Sequence, residues 1–312
     1  MELIRHLHNL RPHHRGCVLT IGNFDGVHLG HQAVIGQLAE KAAELHLPST
    51  LMTFEPYPQE FFNPTAALPR LSRFREKLLA LRRFAVDRVL CLRFDERLAD
   101  MSARDFVSEV LVARLGVRYL VVGDDFRFGW QREGDFQLLQ EAGGQHGFQV
   151  ARMHTVELAG ERISSTRIRA ALAQGHMALA EQMLGRPYRM CGRVVHGEKR
   201  GRDLGFPTAN IDLHRMVSPV TGVFAVELFG VAGEPVPGVA NVGVRPTVSG
   251  AKARLEVHLF DFNGDIYGAH VHVDFLHKIR QERRFDSLQA LVKQIELDIE
   301  DARRFFAGIR NP

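Results

Sequence analysis

The chain has only three cysteines, one tryptophan and four tyrosines in 312 residues. Cys17, Cys91 and Cys191 are far apart, lie in apolar surroundings and form no C-x-x-C pair. That argues against a disulfide framework or a zinc site and leaves them as small core residues. No apolar run approaches the roughly 20 residues needed to cross a bilayer. The N-terminal stretch, with His6, His8, Arg11, His13 and His14 scattered through it, lacks the apolar centre of a signal peptide. A cytoplasmic location and no membrane partner are therefore expected. Internal repeats and low-complexity tracts are missing too. The chain contains no G-x-x-x-x-G-K-[ST] sequence and no two glycines two residues apart, so neither a P-loop nor the dinucleotide fingerprint can bind a nucleotide here.

What is present is an ordinary globular composition, 45% hydrophobic and 24% charged, on a chain long enough for two cores. A net charge of +4 and a pI near 9.1 could suit nucleic acid, but Lys and Arg are spread along the chain rather than gathered in one block. Modest basicity also suits an enzyme whose ligands carry phosphates. Short, near-continuous apolar runs at Cys17–Ile21, Thr50–Phe54, Val89–Phe94, Tyr119–Val122 and Phe148–Met153 read as strands buried on both faces. Helical patterns lie between them: Val34, Leu38, Ala42 and Leu45, then Phe74–Phe84, then a segment opened by Ser102 with Asp105 as its capping pair. Strand and helix alternating in this way predict a parallel α/β sheet with helices on both sides.

Near residue 185 the pattern changes. Gly185 and Pro187 stop a short helix, and period-two stretches follow at Val223–Phe229, Leu255–Phe260 and Val271–Phe275. These predict a small antiparallel β-barrel. A terminal α-helix carries Leu288, Leu291, Val292, Ile295, Ile299 and Ala302 on one stripe. The expected domains are residues 1–185 and 186–312.

After the first strand the chain runs Gly22-Asn23-Phe24-Asp25-Gly26-Val27-His28-Leu29-Gly30-His31 into a helix. Glycines let backbone approach a ligand, and a helix N-terminus offers unpaired N–H groups to phosphate. His28 and His31 could donate hydrogen bonds to phosphate oxygens as charge builds during nucleotidyl transfer. Far downstream, Ser164-Ser165-Thr166-Arg167-Ile168-Arg169 places hydroxyls at a helix start and Arg169 in its first turns. The two elements together resemble the nucleotidyltransferase superfamily, whose sheet is Rossmann-like. With Phe54-Glu55-Pro56 and Gly123–Gly129 added, residues 22–169 resemble the adenylyltransferase half of bacterial FAD synthetases. The resemblance implies that His28, His31, Ser165, Thr166 and Arg169 hold ATP, assisted by Gly22, Phe24, Asp25, Gly26, Gly30 and Ser164. It further implies that Asp125 lies near the nucleotide and that Phe54 and Phe128 line a flavin pocket. Tyr57 stands where that family often has His, and no catalytic role is expected of it.

In the second half, a glycine-rich basic loop, His196–Leu204, runs into Gly205-Phe206-Pro207-Thr208-Ala209-Asn210. Such a loop can fold over phosphates, while the Thr hydroxyl and the Asn carbonyl offer oxygen ligands to Mg²⁺. In Leu255-Glu256-Val257-His258-Leu259, Glu256 and His258 share one strand face. A carboxylate on the inner side of a small barrel would be costly unless it abstracts a proton. The run His196–Asn210, with Asn241–Thr247, Glu256–Gly268 and Phe275–Arg280, resembles riboflavin kinase. That family likeness implies Glu256 as general base toward the riboflavin 5′-hydroxyl, and Thr208 and Asn210 as Mg²⁺ and phosphate ligands. Gly197, Gly201, Arg202, Gly205, Phe206, Pro207 and Arg245 would complete the substrate contacts. The expected ligands are ATP, riboflavin, FMN and FAD with Mg²⁺, without nucleic acid or an obligate protein partner. A basic barrel that binds RNA would instead alternate aromatic and basic residues along its strands; here the basic residues cluster in one loop.

Overall fold

A computed structural model describes residues 1–65, 68–197, 204–247 and 250–310. Two compact units emerge, one of Met1–Ala67 with Arg73–Ser164 and one of Leu68–Ser72 with Ser165–Pro312.

The first unit is built on a six-stranded parallel sheet of order β1-β4-β3-β2-β5-β6. Its strands are β1 (Glu2–Arg5), β2 (Cys17–Ile21), β3 (Ser49–Glu55), β4 (Arg88–Arg93), β5 (Val117–Gly123) and β6 (Gln149–Met153). Every residue of β2 is buried, and successive side chains enter different cores. Cys17, Leu19 and Ile21 meet Phe106, Val110 and Leu120 on one face. On the other, Val18 meets Leu38 and Ala42, while Leu51 and Val89 meet Ile35 and Leu81. Helices therefore cover both faces, as the continuous apolar runs require. Five strands fall within a few residues of the expected runs. The edge strand β1 was not expected: only Ile4 of its four residues is buried, which is too little to leave a pattern. The capping pair at Ser102 is present, with the Asp105 N–H donating to Ser102 Oγ at 3.0 Å and Ser102 Oγ donating to Asp105 Oδ2 at 2.7 Å. Strand order reverses between β2 and β5, and in open sheets of this kind ligands bind beyond the carboxyl ends of the strands beside that point. A two-stranded hairpin, β7 (Glu157–Leu158) and β8 (Glu161–Arg162), closes the unit.

The second unit contains a closed antiparallel barrel of order β10-β13-β12-β11-β14-β9. Its strands are β9 (Tyr188–Val195), β10 (Ala209–Asp212), β11 (Gly222–Phe229), β12 (Val236–Thr247), β13 (Gly250–Leu259) and β14 (His270–Arg280). Phe224, Val226, Val242, Leu255, Val257 and Phe275 are almost fully buried. The alternate residues Val223, Ala225 and Val239 turn outward and pack with Ala302 and Phe306 of the helix Leu288–Arg310. Arg280 ties this helix to β14, donating from Nε and Nη2 to the two oxygens of Asp298 at 2.8 and 2.7 Å. The expected helix stripe is only partly covered. Leu288 is 67% exposed, and the packing is carried by Ile299, Ala302, Phe305 and Phe306 toward the other end.

Gly185 ends the helix Met177–Leu184 in the left-handed conformation at φ 71°, at the expected helix stop. The compact units nevertheless divide between Ser164 and Ser165, ahead of the boundary expected at residue 185. The helix Met177–Leu184 buries Met177, Ala180, Met183 and Leu184 and packs on β9 and β14, so it groups with the barrel. Arg169 Nε donates to the Pro69 carbonyl at 3.1 Å and Arg215 Nη1 to that of Arg70, which brings Leu68–Ser72 into the same unit. Among the described residues, no helix is long and apolar enough to cross a membrane.

Candidate active sites

In the first unit the loop after β2 makes an abrupt path. Phe24, Gly26 and Val27 have φ of 49°, 83° and 45°. Left-handed backbone is uncommon outside glycine and concentrates where a loop must hold a particular shape. His28 then caps the helix Leu29–Leu45, its Nδ1 accepting the His31 N–H at 3.3 Å. The two imidazoles stack with centroids 3.6 Å apart. A Cβ at Gly30 would lie 3.2 Å from the His28 ring and 3.6 Å from the Ile163 carbonyl, so the glycine between the histidines leaves room for the stack. A Cβ at Gly22 would likewise press on the Phe24 ring at 3.2 Å.

His31 Nδ1 is sealed from solvent without a hydrogen-bond partner among the described residues. Burial, then the neighbouring His28, Lys77 and Arg162, push its pKa well below the ordinary histidine value. The ring is thus neutral at neutral pH, a donor through one nitrogen only. Asp25 is buried and accepts from the Tyr57 hydroxyl at 3.3 Å. Asp125 is exposed and pairs with Arg162 Nη2 at 2.8 Å.

Phe54 and Phe128 line one apolar pocket of about 150 Å³ beyond the carboxyl ends of β2 and β3. Phe62, Phe94, Phe106 and Phe126 share it, with Arg127, Gln131 and Arg132 among its polar lining residues. Phe126 and Phe128 stack at 5.5 Å, while Phe54 and Phe62 each meet Phe94 edge-on. A slot walled by rings accommodates a planar aromatic system. The sequence reading missed four of its six phenylalanines. The signal was there in Phe62, Phe94, Phe126 and Phe128, each at the end of one of the apolar runs or shortly after it, in a chain of 21 Phe and one Trp.

In the second unit, Ser165, Thr166 and Arg169 lie on the helix Ser165–Gln174, and Ser164 directly precedes it. The Arg169 guanidinium faces the Pro69 carbonyl described above.

The barrel brings Asn210, Glu256 and Asn241 level on three adjacent strands, β10, β13 and β12. Glu256 lies on the outer face of the barrel and not the inner one expected: Leu255 and Val257 fill the interior, and the Glu256 side chain is 30% exposed. A carboxylate in this position has access to solvent and substrate without a buried charge. Arg254, two residues away on the same face, holds Glu256 Oε1 at 2.7 Å. It also donates to Asn210 Oδ1 from Nε at 3.1 Å and from Nη2 at 2.5 Å. Gly197 passes so close that a Cβ would fall 2.2 Å from Asn210 Nδ2. His258 Nδ1 donates to the Pro207 carbonyl at 2.9 Å and its ring meets Phe206 edge-on, fixing the end of the loop on β13. Gly205 turns at φ 86°, and Thr208, half-buried, directly precedes β10. Gly201 and Arg202 lie outside the described residues, as does the side chain of Arg245, whose backbone runs in β12.

The FAD synthetase family model matches residues 10–167 and the riboflavin kinase model residues 184–306. The chain is 53% identical, over the full length of both proteins, to the bifunctional riboflavin kinase/FMN adenylyltransferase of Escherichia coli K12. It is 54% identical to the protein of that description from Pseudomonas fluorescens, with 98% of each chain covered. A crystal structure described as a macrolide-efflux protein from Streptococcus pneumoniae superposes with a TM-score of 0.83 at 32% identity, covering 97% of this chain and 99% of that one. Two family models meeting in one chain, and relatives matched from end to end, place this protein in the bifunctional riboflavin kinase/FMN adenylyltransferase family.

Proposed function

We propose that the chain makes FAD from riboflavin in two steps, each run by its own set of residues. The barrel transfers the γ-phosphoryl group of ATP to the riboflavin 5′-hydroxyl, giving FMN and ADP. The nucleotidyltransferase sheet then lets an FMN phosphate oxygen attack the ATP α-phosphorus, with pyrophosphate leaving. The observation that carries the reading is the coincidence, in one chain, of a histidine-stacked helix start beside a phenylalanine-lined pocket and a Glu256–Arg254–Asn210 cluster on a closed barrel.

In the kinase step Glu256 accepts the proton of the 5′-hydroxyl as that oxygen attacks phosphorus. Arg254 orients the carboxylate through its 2.7 Å contact and links it to Asn210. Thr208 and Asn210 would supply the hard oxygen donors that Mg²⁺ takes. The donor chemistry fits, and in this structure Asn210 Oδ1 accepts from Arg254. When bound, Mg²⁺ would offset charge on the transferring phosphates. Gly197, Gly201, Arg202, Gly205, Phe206, Pro207 and Arg245 complete the substrate contacts.

In the adenylyl step His28 and His31 donate toward the α-phosphate oxygens, and Gly22, Phe24, Asp25, Gly26 and Gly30 complete the ATP contacts. Ser164, Ser165, Thr166 and Arg169 bind the triphosphate, and Asp125 lies by the nucleotide. Phe54 and Phe128 line the flavin pocket. Positioning and charge stabilisation supply the rate, and neither step passes through a covalent enzyme intermediate. We place both reactions in the cytoplasm and assign the adenylyl step to residues 1–185 and the kinase step to residues 186–312, a division supported by the ranges of the two family matches. Incubation with riboflavin, ATP and Mg²⁺, followed by separation of riboflavin, FMN and FAD, tests the whole reading; riboflavin left unchanged would reject it.

A further inference from the structure

Lys77 is the one lysine with no exposed surface among the described residues, and nothing in the two-step reading uses it. It sits on the helix Phe74–Leu81, whose first turn is closed by Glu76 accepting the Arg73 N–H at 2.7 Å. Its stem runs into the core of the first unit, and its Nζ donates to Thr53 Oγ1 at 3.1 Å. That hydroxyl donates onward to the Asn23 carbonyl at 3.3 Å, at the start of the strained loop. The same ammonium lies 4.5 Å from the centroid of the Tyr57 ring. Tyr57, itself 1% exposed, donates its hydroxyl to Asp25. Two routes, Lys77–Thr53–Asn23 and Lys77–Tyr57–Asp25, thus reach one loop from beneath.

A charge buried this deeply is costly unless other groups compensate it, and a cation over an aromatic face with a hydroxyl acceptor does part of that. The loop it supports holds Phe24 and Val27 in left-handed backbone and delivers His28 to the helix start. Such backbone persists only where its surroundings over-determine it.

We propose that Lys77 is a positioning residue for adenylyl transfer: its ammonium braces the loop from Asn23 to His28 through Thr53 and Tyr57 and so sets the two stacked histidines against the α-phosphate. This rests on the adenylyl reading given above. Tyr57, the position where the family often has His, belongs to this brace. The charged and titratable groups that face His31 are His28 at the helix start, Lys77 from beneath and Arg162 from β8. All three are cations or become cations on protonation. Around a neutral imidazole they form a field that favours a triphosphate.

The test uses the full chain with Lys77→Met, which keeps length and removes charge. FAD formation from FMN and ATP should lose at least tenfold in kcat with the KM for ATP within threefold, while FMN formation from riboflavin stays within twofold. In the ligand-free variant the His31 ring should protonate at a higher pH than in the parent, read from its Cε1–H resonance, because a neighbouring cation has gone. Thr53→Val and Tyr57→Phe each cut one route and should cost several-fold in kcat; they decide the matter if Lys77→Met does not fold. Wild-type kcat in the folded Lys77→Met protein, or in both Thr53→Val and Tyr57→Phe when it does not fold, would overturn the proposal. So would an unmoved His31 titration. A parent protein that makes no FAD at all would sink the adenylyl reading instead, and the His31 titration would still test the brace.

Discussion

Glu256→Gln separates the two activities most cleanly. The amide keeps the shape of the carboxylate and an oxygen for Arg254, but it cannot take a proton at neutral pH. Losing a general base costs about 10²- to 10⁴-fold in rate. At about 1.4 kcal/mol per decade that is roughly 3 to 6 kcal/mol of barrier. The structural cost is much smaller. The Arg254–Glu256 pair leaves 31% and 30% of its side chains exposed, and pairs of this kind contribute about 0 to 1 kcal/mol. Leu255 and Val257 keep their places in the barrel, so the variant should melt within a few degrees of the parent. FMN formation from riboflavin should therefore collapse while FAD formation from supplied FMN continues at the parent rate. Chromatographic separation of the three flavins after timed incubation reads both. Kinase activity within threefold of the parent would remove Glu256 from the base role, and loss of both activities would mean that the substitution acts on something other than the kinase chemistry.

The reverse pattern is expected of the double change His28→Ala, His31→Ala. Removing donors individually worth about 3 kcal/mol should abolish FAD formation, read as pyrophosphate release from FMN and ATP, with riboflavin phosphorylation intact, read as FMN formed from riboflavin. Phe128→Ala opens the pocket that Phe126 and Phe128 wall together, and should raise the KM for FMN in the adenylyl step without altering the kinase KM for riboflavin. Truncation to residues 187–312 removes the buried Met177, Ala180, Met183 and Leu184, so this fragment should retain kinase activity but melt well below the fragment 165–312. Equal melting temperatures would show that the helix Met177–Leu184 contributes nothing to the barrel.

Much of this was legible because strands buried on both faces leave continuous apolar runs, and β2 through β6 did so. The Gly22–His31 segment stood out because it runs from a strand into a helix and has a counterpart far downstream in Ser164–Arg169. β1 was missed since a single buried Ile4 carries no periodicity. The placement of Glu256 was misjudged for a different reason. Alternation shows which residues share a face, but not which face is inside, and that depends on Leu255 and Val257 meeting the barrel interior. The apolar pocket is assembled from the ends of β2 and β3 and the segments after β4 and β5, so no local window contains it. The grouping of the helices 165–184 with the barrel rests likewise on contacts from β9 and β14 that no local window contains.

The central claim, two successive reactions on separate residues of one chain, is tested most directly by complementation. Glu256→Gln and the His28→Ala, His31→Ala protein are each given riboflavin, ATP and Mg²⁺, alone and then mixed. The account predicts that the first leaves riboflavin unchanged, that the second stops at FMN, and that the mixture produces FAD with one pyrophosphate released per FAD. A mixture that accumulates FMN without FAD, or either variant making FAD from riboflavin on its own, would contradict it.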